Sequence, residues 1–350
     1  MNHGIRNNWR HPPMMDDWID SPHLRHELGD FQLESGAILR NAFISYVIHG
    51  DVSKLRKGAI LVTTAIGSTH HRLDFMIGNG KPLDTSRWCI IAVDALGNGL
   101  SSSPSNSMRQ PNEAFPRFTI RDMVQSQRQL LDHLGVEELV AVVGASLGGM
   151  QAVQWAVSHP HHMRSLVAMV PMARTTRWSK LVNEMSRRAL FADPACRQPR
   201  PRDEAMRLWM PLTQAVMPRS PAAIENDSDT GLHEWLAQRE HTLAEFGPNA
   251  FDWCYQTWAY DEHDVGTTPG FEGNTMLALK QIRAATLVVA PGLDLYNPPF
   301  AAKEMANAIP KARFVELSGD EGHACAAGGP SQATNELRDA VGDFLRQQEN

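Results

Sequence analysis

Apolar and polar residues alternate on both sides of a Ser-Gly pair in FQLESGAILRNAFISYVIHG, from Phe31 to Gly50. A period of two predicts a pair of antiparallel strands joined by a turn. Short, dense apolar runs follow: GAILVTTAIG, RWCIIAVDALG, LVAVVGAS, SLVAMVPMA, ATLVVAPGLD and ARFVELSGD. Their length, their Val and Ile content and their Gly, Pro or Asp borders suit strands buried on both faces of a mainly parallel sheet. Between them lie helical stretches. TIRDMVQSQRQLLDHLGV sets Met123, Leu130, Leu131 and Leu134 near one face, starts at a capping Thr and ends at Gly135.

The pattern also marks the boundaries. Residues 1–30 show no sustained period and are interrupted by Pro12, Pro13 and Pro22, so an irregular N-terminal arm is predicted there. From Arg174 to about Gly273 the strand-helix alternation stops, and the chain turns rich in Arg, Met, Trp and Pro. The expectation is an α/β fold with a mostly parallel central sheet flanked by helices. Residues 31–174 and 274–350 form the catalytic core, and 175–273 form a helical lid. An excursion between two strands of such a sheet, at their carboxyl ends, sits over the ligand crevice.

Composition narrows the function. The 350 residues carry 42% hydrophobic and 21% charged side chains and a formal net charge of -6, as in an ordinary globular enzyme. The arginines are scattered, which removes the basic stripe of a nucleic-acid binder. Cys89, Cys196, Cys254 and Cys325 lack close paired spacing, and the polar N-terminus lacks the apolar segment of a signal peptide. No run approaches the length of a membrane span. A cytoplasmic protein acting on a small molecule, with no nucleic-acid or membrane partner, is expected.

The densest chemical signal is Gly144-Ala145-Ser146-Leu147-Gly148-Gly149, between the strand LVAVV and the helical run MQAVQWAVSHP. Small residues flanking a serine permit the tight strand-to-helix turn that lifts a nucleophile above a sheet. A serine hydroxyl needs a base and an orienting acid. Asp294 follows the strand ATLVVA and His323 follows ARFVEL, so Ser146, Asp294 and His323 occur in the order of a Ser-Asp-His triad, each just past a predicted strand. The oxyanion hole is expected from the backbone N–H of Leu147 together with that of Ala65 or Ile66, in the loop after GAILVTT. Trp253, Tyr255, Trp258 and Tyr260 suit either a pocket lining or lid packing. His70 with His71, and His159 with His161 and His162, find no carboxylate at convincing ligand spacing, so no metal is expected. No G-x-G-x-x-G or P-loop occurs, and no cofactor is expected.

With those residues in place, the chain resembles the homoserine O-acetyltransferase branch of the α/β-hydrolase superfamily from about Gly58 to the C-terminus. The likeness is densest in FTIRDMVQSQRQLLDHLGVEELVAVVGASLGGMQAVQWAVSHP and recurs in KPLDTSRWCIIAVDALG, RTTRWSKLVNEMSRRALFADP and DLYNPP. It implies the Ser146, Asp294 and His323 triad, an acyl-enzyme intermediate and a homodimer. It also implies substrate contacts at Arg174, Arg177 and Tyr255, where an arginine would hold an acidic substrate. Three segments depart from the family, one of them its Gly-Pro-Ser-Ser segment, replaced here by SSSPSNS at residues 101–107. Its members that acetylate homoserine carry an Asp directly after the catalytic His, and this chain has Ala324. The family's His-Ala-Leu-Thr-Gly loop reads Thr64-Ala65-Ile66-Gly67-Ser68, and Asp94 to Ser101 is similar to the D-x-x-G-x-G-x-S loop of ordinary α/β-hydrolases. The expectation is a serine hydrolase of a carboxylic ester, thioester or amide. The alternative is an acyltransferase that moves an acyl group from acyl-CoA to an alcohol.

Overall fold

The alternating segment forms β2 (Ile38–His49) as anticipated, antiparallel to β1 (Leu24–Gln32), of which only Phe31 and Gln32 lie within that segment. These and the statements that follow come from a computed structural model that describes residues 11–12, 14–192, 208–227, 231–246 and 248–348. Strand β1 begins at Leu24, inside the stretch predicted to be irregular. Its period is hidden because it is an edge strand. Arg25 and Glu27 stay exposed, and within it only Phe31 is fully buried, so backbone pairing with β2 holds it more than apolar patterning does. Residues 1–10 of the predicted arm lie outside the described residues, as does Pro13.

The apolar runs become β3 (Ala59–Thr63), β4 (Cys89–Val93), β5 (Leu139–Ala145), β6 (Met163–Met169), β7 (Ala285–Pro291) and β8 (Ala312–Leu317). The eight strands form one sheet in the order β1-β2-β4-β3-β5-β6-β7-β8, antiparallel where β2 meets β1 and β4 and parallel elsewhere. Alternate residues of each central strand face opposite sides. Leu61, Val142, Ala168 and Val288 join one core, while Ile60, Val62, Val143, Val167 and Val289 join the other. Each Val, Leu or Ile side chain so taken from water contributes about 1.5–3 kcal/mol.

The first core is closed by α1 (Ile120–His133) and α2 (Leu147–Ser158). Helix α1 starts with a capping box: Thr119 Oγ1 accepts from Asp122 N–H at 3.2 Å, and Thr119 N–H donates to an Asp122 carboxylate oxygen at 2.8 Å. After β6 the chain leaves the sheet. Its described part contains α3 (Arg177–Phe191), α4 (Leu232–Phe246) and α5 (Ala250–Asp261), with short helical turns and no strand. Residues 193–207, 228–230 and 247, Cys196 included, lie outside the described residues. The excursion packs directly on the carboxyl ends of the strands. Trp253, Cys254, Tyr255 and Tyr260 share a buried cluster with Leu147 and Met150 of α2 and with Tyr296 of the loop after β7. The chain then returns through β7, α6 (Pro299–Ala308), β8 and α7 (Gln332–Gln347), the last closing the second core.

Candidate active site

Strand β5 ends against the start of α2 so closely that two positions accept nothing larger than glycine. A Cβ on Gly144 would lie 2.3 Å from the Gly148 carbonyl, and one on Gly148 would lie 2.3 Å from the Thr63 carbonyl. Between them Ser146 adopts φ +57° and ψ −122°, a conformation L-residues avoid and one that costs on the order of 1–3 kcal/mol. Its N–H donates to Met169 O and its carbonyl accepts from Met150 N–H, both at 2.9 Å, so the neighbouring strand and helix hold the strained residue from both sides.

The other two members of the constellation come from the loops after β7 and β8. His323 Nδ1–H donates to Asp294 Oδ2 at 2.7 Å, and His323 Nε2 lies 2.8 Å from Ser146 Oγ. A carboxylate only accepts, so the Asp294 bond places the ring proton on Nδ1 and leaves the Nε2 lone pair for the serine hydroxyl. Asp294 Oδ1 accepts from the N–H groups of Tyr296 and Asn297, both at 2.8 Å, which fixes the carboxylate plane. All three residues are buried. The sequence order Ser, Asp, His is thus gathered into one hydrogen-bonded relay across the carboxyl ends of β5, β7 and β8.

Adjacent parallel strands also bring the β3 loop to this point, since Thr63 pairs with Gly144. Leu147 opens α2, where N–H groups have no partner within the helix and the helix dipole favours negative charge. Ala65 is buried and Ile66 half-buried in the loop beside it. The loop is pinned by side chains that sequence patterning missed. Thr63 Oγ1–H donates to Gly148 O at 2.8 Å, and Gln151 Nε2–H donates to Thr64 O at 3.0 Å. Gln127 in turn binds Gln151 at 2.6 Å and accepts from Trp155 Nε1–H at 2.7 Å. A glutamine inside an apolar helical run was the available signal for this chain.

The helical excursion grips each loop that carries a site residue. Gly67 N–H donates to Gln256 Oε1 at 2.9 Å, Trp178 Nε1–H to Leu295 O at 2.6 Å, and Ala324 N–H to Pro218 O at 2.7 Å. Tyr296 lies edge-on to the His323 ring, with centroids 5.2 Å apart, and its hydroxyl donates to Asn183 Oδ1 at 2.6 Å. The Tyr260 hydroxyl donates to Asn297 and also faces the Ser146 side chain; burial raises it above the usual phenol range. Of the four aromatics offered for a pocket or for packing, Tyr260 reaches the relay.

Three predicted substrate contacts are not brought to this point. Arg174 and Arg177 are exposed and line a surface groove with Trp178, Phe300 and Met305, whose walls include none of Ser146, Asp294 and His323. Tyr255 is buried, and its hydroxyl donates to Phe115 O at 2.7 Å. The difference is physical: strand ends fix loop residues, whereas the rotation of each helix of the excursion, set by its packing, decides which of its side chains face the crevice.

The sequence model described as the alpha/beta hydrolase fold matches residues 60–325. This chain belongs to the α/β-hydrolase family. Within that family it falls in the homoserine O-acetyltransferase-like branch. It is 30% identical to a homoserine O-acetyltransferase of Zymomonas mobilis subsp. mobilis, in a match spanning 84% of this chain and 90% of the relative. Two solved structures share its architecture. An acetylester hydrolase from Corynebacterium glutamicum superposes with a TM-score of 0.87 at 22% identity, over 93% of this chain and 96% of that one. The acetyl esterase MekB gives 0.86 at 25% identity, over 93% and 97%. Among the described residues no helix is long and apolar enough to cross a membrane.

Proposed function

We propose that this α/β-hydrolase is a serine hydrolase that cleaves a small carboxylic ester, thioester or amide through an acyl-enzyme on Ser146. The observation that carries the proposal is the relay itself, Ser146 Oγ to His323 Nε2 at 2.8 Å and His323 Nδ1 to Asp294 Oδ2 at 2.7 Å. As Ser146 Oγ attacks the acyl carbon, its proton passes to His323 Nε2, and Asp294 accepts from the Nδ1–H of the resulting imidazolium. The N–H groups of Leu147 and of Ala65 or Ile66 receive the oxyanion, a contribution of roughly 3 kcal/mol per donor. His323 then gives its proton to the departing alcohol, thiol or amine. In the second half it takes a proton from water, whose oxygen attacks the acyl carbon, and then returns a proton to Ser146 Oγ as the carbon–Oγ bond breaks and the acid product leaves.

Water is favoured as the acceptor because the position after the histidine is Ala324, whose methyl group offers nothing to an acceptor's ammonium. MekB, 25% identical to this chain, is an acetyl esterase, in keeping with that choice. The second reading, transfer of the acyl group from acyl-CoA to an alcohol, is favoured by the Zymomonas relative's acetyltransferase name. In either chemistry the helical excursion serves as the lid. Its contacts with the β3, Asp294 and His323 loops support its role as a roof that shapes the pocket and excludes bulk water. A homodimer is part of the proposal: Trp178, Leu181 and Met185 are exposed at i, i+3 and i+7 on α3, an apolar stripe suited to a second copy.

A fluorophosphonate probe followed by intact-mass measurement tests the nucleophile. One adduct per chain, mapped to Ser146 and absent from Ser146→Ala, is the expected result. Labelling that survives the substitution would remove Ser146 from the role.

A further inference from the structure

Four imidazoles that are scattered in sequence meet at the turn that follows the β3 loop. His11 and His23 come from the N-terminal segment, and His70 and His71 from the turn that follows the oxyanion loop; one ring nitrogen from each lies within 4.8 Å of all the others. Their outer contacts fix which nitrogens face inward. His70 Nδ1–H donates to Asp94 Oδ2 at 3.0 Å and His71 Nδ1–H to Asp74 Oδ2 at 2.6 Å. Both Nε2 atoms therefore present lone pairs to the cluster. His70 is 1% exposed, and its Nε2 has no hydrogen-bond partner among the described residues. His71 Nε2 faces His11 Nε2 at 2.9 Å. A buried lone pair without a donor is costly, and a carboxylate behind the far nitrogen of a histidine is the second layer that metal-ligating imidazoles characteristically have.

We propose that His11, His23, His70 and His71 form a closed site for one zinc-like divalent transition-metal ion, which ties the N-terminal segment to the loop carrying the oxyanion donors. An all-imidazole donor set selects zinc, copper or nickel over the oxygen-seeking magnesium and calcium. Tetrahedral zinc with Zn–N bonds of about 2.0–2.1 Å sets its ligand nitrogens roughly 3.3 Å apart, so side-chain shifts of about an ångström close the cluster. The frame around it is already built. Asp94 also accepts from His70 N–H at 2.9 Å, Asp74 also accepts from Ile19 N–H at 2.8 Å, and Trp18 stacks on His71 with centroids 4.2 Å apart. Four protein ligands leave no open position, which makes the site structural rather than catalytic. The sequence offers only the adjacent pair His70 and His71, set aside for want of a spaced carboxylate, since His11 and His23 form no motif spacing with them and the two carboxylates act from behind.

The test uses the full chain without a polyhistidine tag, stripped with a chelator and dialysed against Zn2+, with bound metal measured by atomic emission. About one zinc per chain is expected, held at least ~10-fold more weakly by His11→Ala/His23→Ala and unchanged in Ser146→Ala. Both substituted histidines come from the N-terminal segment, outside the sheet core. Substoichiometric zinc in the wild type, or equal binding by the double variant, would overturn the proposal. If the double variant fails to fold, Co2+ in the wild type decides. A tetrahedral visible spectrum supports the site, and an octahedral one, as of a solvated or surface-bound ion, contradicts it.

Discussion

His323 has its ring proton placed by Asp294, and that dependence sets the expected effect of substitution. Asp294→Asn supplies an amide that can donate to Nδ1, so the ring adopts the tautomer with its proton on Nε2, where it cannot take one from Ser146. Ester hydrolysis by this variant is expected to fall about 10^4-fold in steady-state rate, with the fold intact by circular dichroism. An undiminished rate would show that another acid orients the histidine. The turn beneath Ser146 gives a second expectation. Gly148→Ala forces a methyl group to within 2.3 Å of the Thr63 carbonyl, so soluble yield or thermal midpoint falls along with activity. At this scale much was legible. Ser146, Asp294 and His323 each follow a dense apolar run, and the ends of adjacent parallel strands bring such residues together. Asn297 and Gln151 were not assigned roles, and Tyr260 was not singled out from its three aromatic neighbours, because each acts through a contact with a residue far away in sequence.

Helix α1 and helix α5 separate two ways in which elements support the site. Thr119→Ala removes half of the capping box of α1, at a cost of about 1 kcal/mol in denaturant unfolding, while Asp122 keeps its bond to Glu34 N–H. Helix α5 is tied to the 101–107 loop by Asp252, whose two carboxylate oxygens engage Ser105 N–H and Oγ. Burial pushes the Asp252 carboxyl up to about 7, against which the Ser105 bonds act only partly. Between the ordinary carboxylate value and about 7, the folded state holds a proton that the unfolded state has lost. This contribution is therefore complete at low pH and declines as pH rises towards 7. Asp252→Asn is expected to raise the thermal midpoint relative to wild type at pH 8 and to change it much less at pH 4. Equal effects at both pH values would mean the carboxyl is not perturbed. The location of the helical excursion was readable from the loss of strand-helix alternation. Its internal rotations were not, which is why Arg174 and Arg177 face an outer groove and Tyr255 is committed to the Phe115 carbonyl.

Two histidines that the fold holds uncharged add an acid-sensitive contribution to the stability of the whole chain. Burial lowers His159 to about 4, helped by the nearby Arg128, and lowers His263 to about 3, helped by Arg121. Their folded values lie below the unfolded one, so the unfolded chain binds more protons as pH falls below about 6.5. Stability from this source is present above that pH and is lost progressively towards the folded values. His263→Gln should flatten the acid limb of a thermal-midpoint profile between about pH 6 and 4. An unaltered limb would place the acid sensitivity elsewhere. The six central strands β3 to β8 were legible from run length and Val and Ile content, whereas most of edge strand β1 was not. The four-histidine cluster was not, since only the finished fold brings the N-terminal segment against the turn at His70.

The proposed hydrolase differs from a transferase in one step, the attack of water rather than an alcohol on the acyl-enzyme at Ser146. That step is tested most directly by following p-nitrophenyl acetate and acetyl-CoA consumption, each with and without homoserine, for wild type and Ser146→Ala. Nitrophenol release without any acceptor, no acceleration by homoserine, and loss of about 10^4-fold or more in Ser146→Ala are expected. Consumption of acetyl-CoA only when homoserine is present would contradict the hydrolase proposal, and would mean that the acceptor's amine is held by a group other than the one absent at Ala324.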